Sequence, residues 1–560
     1  MTSGTSADAG LDDAAPPASG PADTPERGSS AVLRGSLLMA SGSLVSRVLG
    51  LVRASMIVTL FGALTPAGDA WGVANTLPTT VYMLLAAGVI NAVFVPQLTK
   101  AAQDPDGGRE YVDRLITLSL LALLAATVVA LPAAPLLVRL FSSGSWSEET
   151  FSLSLAFALV VLPSIFFYGL YAVLGQVLNA QNRFGAYGWA PALCNIVWIA
   201  GLGLFLVRYP GQGHSVGDWS TPMIWLVGGS MTAGVAVQAL VLLVPLLRSG
   251  WRYRPRFGFR GVGLGSAGRV ASWTFAGVAV SQAALAVSSQ VLTTADGKGV
   301  GRLSYDTVFF LFMTPHGLIT VSLATALFTA MSSAAARRDL FAVRTQLRRG
   351  LRLIGATTIP TTIAGLCLAT AGMAIIFPTR PAHETEAMAQ VFFLLIPALL
   401  PYGVLFLVQR AFYAFEDART PFYLSLIAAV VFAAGSVVAW ILLPPEHRAL
   451  GVATAATLSD VVAATVGMRW VGARLGGMRL LDVWETWTRA LFASLAAGLP
   501  TLAVVGALHA LLPNRLGALL TLLLGGTVFV ALYLAGARWL RLREIDDVLT
   551  PLRKRLPGRR

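Results

Sequence analysis

A charge held at bilayer depth costs at least ~2.5 kcal/mol unless it has a partner or a wet cavity. The ionisable residues inside apolar runs are therefore where chemistry in this chain would sit. Arg47 and Arg53 lie in one run, from about Gly35 to Phe61. Six residues apart, they are separated by about 240° of helix rotation. They cannot share one narrow stripe, yet both can line a wide cavity. Arg53 falls near mid-span, where snorkelling reaches water poorly, and Arg47 closer to one end. Asp69 opens the second run, where a carboxylate suits the N-terminal dipole of its own helix. A helix cap and a role in the cavity are equally good readings of it. Pro78 and Pro315 fall at nearly matching places in the two halves, 237 residues apart. Prolines there kink a helix beside a cavity and suit a chain whose helices must bend. Asp460 and His509 are candidate proton or cation sites, although a hydrogen bond to a neighbouring helix is the commoner state of such groups. Arg410, Asp417 and Arg419 read as a charge cluster at a helix end, and Arg139 can snorkel.

Signatures of catalysis are missing. The five histidines are scattered without metal-ligand spacing, and no Walker-type glycine loop or nucleophile elbow occurs. Cys194 and Cys367 sit in apolar runs, so neither a disulfide framework nor a zinc site is expected. No catalytic residue, metal or cofactor is assigned. Transport would draw on the membrane potential or a cation gradient.

The elements that must position these residues follow from composition. Of 560 residues, 56% are hydrophobic and 12% charged, against roughly a quarter charged in a soluble domain. Apolar runs of about twenty residues recur along the chain, long enough to cross ~30 Å of hydrocarbon. An all-α, polytopic membrane protein is predicted. Its fourteen or so spans fall at about 35–61, 69–97, 113–140, 150–178, 186–207, 222–247, 268–295, 304–333, 350–377, 387–414, 421–443, 449–471, 485–511 and 516–538. The formal charge of +14 is not a nucleic-acid footprint, because the arginines occupy short gaps between apolar runs.

Those arginines set the orientation. Arg248, Arg252, Arg254, Arg256, Arg260, Arg337, Arg338, Arg344, Arg348 and Arg349 fall in even-numbered loops, and more lie in the C-terminal tail. The odd-numbered loops hold only Arg208, Lys298, Arg302, Arg380, Arg448 and Arg515. Basic residues stay cytoplasmic, which places both termini inside. A shift of 234 residues superposes Pro163 on Pro397, Tyr168 on Tyr402, Gly169 on Gly403 and Ala180 on Ala414. That offset equals six helices, so the two copies run parallel through the bilayer. The expected division is a disordered cytoplasmic tail (1–33), an N-lobe (34–249), a C-lobe (250–475), two extra helices (476–541) and a basic tail (542–560) lying on anionic lipid.

The stretch Ser46-Arg47-Val48-Leu49-Gly50-Leu51-Val52-Arg53 resembles the N-terminal signature of the MurJ (MviN) lipid II flippases. So do Phe61-Gly62-Ala63, Gly68-Asp69-Ala70, Leu77-Pro78 and Phe94-Val95-Pro96. Leu178-Asn179-Ala180-Gln181-Asn182-Arg183-Phe184 and Arg410-Ala411-Phe412-Tyr413-Ala414, with Asp417 and Arg419-Thr420-Pro421, fit as well. The resemblance covers about residues 35 to 540. It implies the fold of the multidrug/oligosaccharidyl-lipid/polysaccharide exporters: two six-helix lobes around a cavity, with helices 13 and 14 forming a groove for a polyprenyl tail. The implied activity is movement of undecaprenyl-pyrophosphoryl disaccharide-pentapeptide across the bacterial plasma membrane for cell-wall synthesis. Arg47 and Arg53 match arginines of the family's cavity, where guanidinium groups suit a pyrophosphate. Asp69 matches an acidic residue at the start of helix 2.

The chain departs from the family pattern at Tyr82, Met83 and Ala87, where two arginines and a glutamate are frequent, and at Phe310, where many members carry an arginine. A less basic cavity is expected. Of the cation site that some members build from helices 7, 11 and 12, Asp460 is the evident ligand here. Two other readings stand beside the flippase. One is a same-fold exporter of another polyprenyl-linked oligosaccharide or of a drug. The other is a non-transporting scaffold that recruits cell-wall or division proteins.

Overall fold

The computed structural model describes residues 25–86, 109–180, 184–250, 253–257 and 264–544. The described residues are helical with short connections, and among them there is no strand. Thirteen helical segments are long and apolar enough to cross a bilayer. The second predicted span corresponds to α2, Pro66–Leu85, which is not among those thirteen; residues 87–108 lie outside the described residues. Large apolar side chains such as Val207, Leu481 and Trp539 are about four-fifths exposed, as expected when lipid and not water covers the outer surface.

Several spans are interrupted. The fourth is α5 (Glu148–Val161) followed by α6 (Ser164–Ala180). The tenth is α14 (Ala382–Leu395), a 3₁₀ turn at Ile396–Ala398, and α15 (Leu399–Ala414). The two breaks fall at Pro163 and Pro397, the pair that the 234-residue shift superposes. Pro has no N–H to give the helix ladder, and the two breaks fall at equivalent positions of the repeat. Two more spans matter below. Span 3 is α3 (Arg109–Ala130) and α4 (Ala134–Phe141), and span 6 is α8 (Thr221–Leu240) and α9 (Leu243–Arg248).

Spans 1 to 6 pack on one another. The first is α1 (Pro25–Phe61) and the fifth α7 (Phe184–Arg208). Their interior is an aromatic cluster in which Phe61 stacks on Trp71 at 5.5 Å and on Trp219 at 4.9 Å, with Phe157 edge-on to both tryptophans. The second group holds α10 (Leu264–Leu292), α11 (Arg302–Pro315), a π turn at His316–Thr320, α12 (Val321–Ala336), α13 (Leu340–Ile376), α14, α15, α16 (Arg419–Leu442) and α17 (Arg448–Arg474). Its core gathers Leu347, Leu351, Ile354, Val404, Leu407, Val408 and Leu424.

The last two spans stand apart. They are α18 (Leu481–Leu511), then α19 (Arg515–Leu520), a π turn and α20 (Gly526–Trp539). They pack on α13: Trp487 Nε1 donates to Leu351 O at 2.9 Å and the Tyr533 hydroxyl to Ala356 O at 2.8 Å. At the same end Arg348 and Arg352 pair with Asp482 at 2.7 and 3.1 Å, and Arg352 with Glu544 at 3.3 Å.

Three expectations are corrected here. The N-terminal tail is not irregular throughout to residue 33, since α1 begins at Pro25; proline is well suited to the first helical turn. Residues 1–24 lie outside the described residues, as does Ala87. The basic stretch before span 9 is largely helix, because α13 starts at Leu340 with Asp339 capping Ala342 N at 2.9 Å. Arg302 is not a loop residue; it is the first residue of α11 and only 2% exposed.

Candidate functional site between the two lobes

Arg53 is held inside the first lobe. Its Nη1 donates to Asn195 Oδ1 at 2.7 Å, and its guanidinium lies 4.3 Å from the centre of the Trp198 ring. Asn195, on α7, is fixed in turn by donating to Ser46 O at 2.9 Å. The Arg53 Nε is buried without a hydrogen-bond partner. Tyr82, at one of the positions where the family often has arginine, sits with its ring 5.8 Å from that of Tyr168.

Arg47 reaches the other lobe. Its Nη1 donates to Thr314 O at 3.3 Å, next to Pro315 and the π turn that interrupts span 8, and its guanidinium packs over Gly317. Irregular backbone at membrane depth needs such outside donors. Phe310, one turn earlier, rests its ring tip 3.0 Å from where a Cβ on Gly50 would be. Met83 accepts at Sδ from Gln282 Nε2 of α10 at 3.5 Å. Arg47 and Arg53 therefore have different partners and do not converge on one group. Neither has a carboxylate partner among the described residues. α2 continues as helix through Pro78, whereas Pro315 ends α11 at the π turn.

Asp69 does not cap its own helix. Thr65 does, accepting from Gly68 N at 3.0 Å. The buried Asp69 carboxylate instead accepts from Leu303 N at 3.4 Å and lies against Gly301, capping the start of α11 across the lobe junction. Close approach is possible because Gly72 has no side chain: a Cβ there would stand 2.9 Å from Leu303 N.

Beside this cap lies a polar cluster whose members are far apart in the sequence. Arg302 Nε pairs with Asp306 Oδ2 at 2.9 Å, and Arg302 Nη2 donates to Thr76 Oγ1 on α2 at 3.3 Å. Thr76 Oγ1 also lies 3.4 Å from Asp306 Oδ2. Ser304 Oγ donates to Ala63 O at 2.5 Å and Ala63 N to Glu384 Oε2 at 3.2 Å. Thr59 and Thr379 meet hydroxyl to hydroxyl at 2.7 Å. One end of the molecule is thus clamped across the lobes. A signal was available in the i,i+4 pair Arg302 and Asp306, with Asp306 inside an apolar run.

Asp306 has a second surface. It lines a cavity of about 360 Å³ inside the second lobe, together with Tyr305, Tyr402, Gln409, Ser459 and Asp460. His316, buried at the π turn, puts its ring 4.5 Å from Tyr402. His509 lies in the last turn of α18, away from this cavity. Among the described residues, no group of three or more His, Cys, Asp or Glu side chains is placed to hold a metal ion.

The sequence profile of a family described as "Lipid II flippase MurJ" matches residues 57–523. A protein of Burkholderia cenocepacia named lipid II flippase MurJ is 28% identical over 411 residues, covering 70% of this chain and 76% of its own. One of Vibrio cholerae named probable lipid II flippase MurJ is 25% identical over 472 residues, covering 81% and 85%. A solved structure described as lipid II flippase MurJ in an inward closed conformation superposes with a TM-score of 0.67 at 19% identity, over 90% of this chain and 99% of that one. An inward-facing multidrug transporter of the MATE family gives 0.63 at 17% identity, over 77% and 94%. The second likeness is one of fold, a polytopic helical architecture that the two kinds of transporter share. With the profile matched over most of its length, and with Arg47 and Asp69 reaching across the junction of two helical lobes, the chain belongs to the MurJ family of lipid II flippases.

Proposed function

We propose that this protein moves lipid II across the bacterial plasma membrane by alternating access between its two lobes, with both termini in the cytoplasm. The observation that carries the reading is that Arg47 and Arg53, in an apolar helix long enough to span the bilayer, have only neutral partners among the described residues. A cation in an apolar span without a counter-ion is costly, and an anionic headgroup would offset that cost. A pyrophosphate matches the guanidinium fork. Membership of the family selects the lipid-linked disaccharide-pentapeptide as the cargo, and the pair α18 and α20 supplies a surface for its polyprenyl tail. The arginine asymmetry of the loops supports the orientation, which makes the clamped end the external one. The basic tail after α20 would rest on anionic lipid. Asp460, in the second-lobe cavity, is the candidate through which a cation gradient or the membrane potential acts.

Depletion of the protein is expected to accumulate lipid II on the inner leaflet, read by a leaflet-specific assay of lipid II in a depletion strain. Normal outward movement during depletion overturns the proposal. Tyr82, Met83 and Phe310 favour a second reading, a same-fold exporter of another polyprenyl-linked oligosaccharide, because they fill with apolar groups places that are often charged. Accumulation of a different lipid-linked sugar in the same assay would select it.

A further inference from the structure

The carboxylate of Asp306 belongs to two structures at once. On one side it holds Arg302, whose Nη2 reaches across the lobe junction to Thr76. On the other it lines the second-lobe cavity that also holds Asp460, a residue with no hydrogen bond or ion pair among the described residues. Arg302 is 2% exposed, its Nη1 is buried without a hydrogen-bond partner, and Asp306 is its carboxylate partner. A guanidinium this deeply buried is stable in place only while that carboxylate is available to it.

We propose that Asp306 is a positioning residue that couples the second-lobe cavity to the external clamp. When the cavity is empty, Asp306 holds Arg302 against Thr76 and the lobes stay joined at that end. When a proton or a monovalent cation occupies the cavity and engages Asp306, the same carboxylate no longer balances the Arg302 charge. The Arg302–Thr76 bond is then released, and the lobes part on the outer side. Geometry supports the direction of coupling. Arg302 is the first residue of α11, Asp306 lies one turn further in, and the π turn at His316–Thr320 gives the same span a place to bend. Asp69, which caps the same helix end from α2, keeps the helix seated but takes no part in the exchange. The charged and titratable groups around Asp306 are Arg302, Tyr305, Tyr402 and Asp460 from its own lobe and Asp69 from the facing one.

The inference rests on Asp460 marking the coupling cavity, as proposed above, and its test is independent of lipid II movement. Thr59 lies on α1 and Thr379 follows α13, so the pair joins the two lobes at the clamped end, with hydroxyls 2.7 Å apart. Thr59→Cys with Thr379→Cys in the full-length protein in membrane vesicles, oxidised and scored for the intramolecular disulfide, reads closure of that end. Sodium chloride against choline chloride at fixed pH, and pH 6 against pH 8 in choline, separate a metal cation from a proton. The yield should fall several-fold with one of the two. In Asp306→Asn it should be low and indifferent to both, and in Asp460→Asn high and indifferent to both. Thr76→Val, which removes the hydroxyl that meets Arg302 and Asp306 across the lobes and leaves both charges in place, should lower the yield and blunt the response even if Asp306→Asn does not fold. A yield unmoved by either cation in the parent pair, or a full response surviving in Asp306→Asn or Thr76→Val, overturns the coupling. A responsive disulfide in a protein that moves no lipid II would instead sink the flippase reading and leave the coupling standing.

Discussion

Two sets of arginines, one at the clamped end of the lobe junction and the other made of Arg47 and Arg53, are treated in opposite ways. Arg302, at the clamped end, is buried against a carboxylate and a threonine of the facing lobe. Arg53, deeper in, is given an amide oxygen and an aromatic face, and Arg47 a main-chain carbonyl. The chemistry of the side chain is the same, and only the partners differ. A guanidinium already neutralised by a carboxylate has little to offer an incoming anion. One stabilised by neutral dipoles and a ring keeps its net charge and most of its appetite for phosphate. The first arrangement suits a clamp, and the second suits a binding surface.

The largest effect should come from breaking the binding side of that contrast. Arg53→Ala removes a cation that no neighbouring side chain replaces. It is expected to abolish growth rescue in a depletion strain while membrane levels stay near those of the parent. Arg53→Lys should restore little, because an ammonium cannot grip a pyrophosphate at two points or lie flat on Trp198. Rescue by Arg53→Ala at parental levels would remove the binding role. Arg47→Ala should weaken rescue less, since its partner is a carbonyl at a helix interruption.

On the clamp side the expectation is different in kind. Arg302→Ala leaves the Asp306 carboxylate without its cation and should lower unfolding stability by about 1–3 kcal/mol. Arg302→Ala combined with Asp306→Ala removes both charges and should recover part of that loss. Thermal unfolding of the detergent-solubilised protein reads both. If the double variant falls by the sum of the single losses, the two side chains do not act as a pair.

Much of this architecture was legible in the sequence, and the parts that were not share a cause. Run length gave the spans, and the prolines of the repeat marked where spans 4 and 10 break. Those features are local or periodic. Arg302 reads as a loop residue because it stands at the edge of an apolar run, and nothing in its neighbourhood tells that Thr76 faces it, 226 residues away. For Asp69 the sequence leaves a cap of its own helix and a role in the cavity equally open. Thr65, four residues earlier, already fills that post, which frees the carboxylate for Leu303 in the other lobe. Partners across a lobe junction leave no spacing signal in a single sequence.

A moderate effect is expected from Asp69 itself. Asp69→Ala removes a cap that joins α2 to the start of α11. An N-cap is worth about 1 kcal/mol, so the protein should remain folded and thermal unfolding should shift by only a few degrees. Placed in the background of Thr59→Cys with Thr379→Cys, it should lower the disulfide yield, because the clamp loses one of its cross-lobe bonds. An unchanged yield would place Asp69 outside the clamp.

The smallest effect sharpens the comparison from the other side. Arg489 pairs with Glu485 one turn away on α18, and both side chains are about half exposed. An i,i+4 pair of this kind contributes about 0.3–0.5 kcal/mol. Arg489→Ala should therefore leave rescue and thermal unfolding within error of the parent. This residue has the same chemistry as Arg53 and Arg302, in a span of the same membrane protein, but it is half exposed and paired with a half-exposed carboxylate on its own helix. If its loss were to matter as much as theirs, the number of arginines and not their partners would govern function, and the contrast between clamp and binding surface would fail.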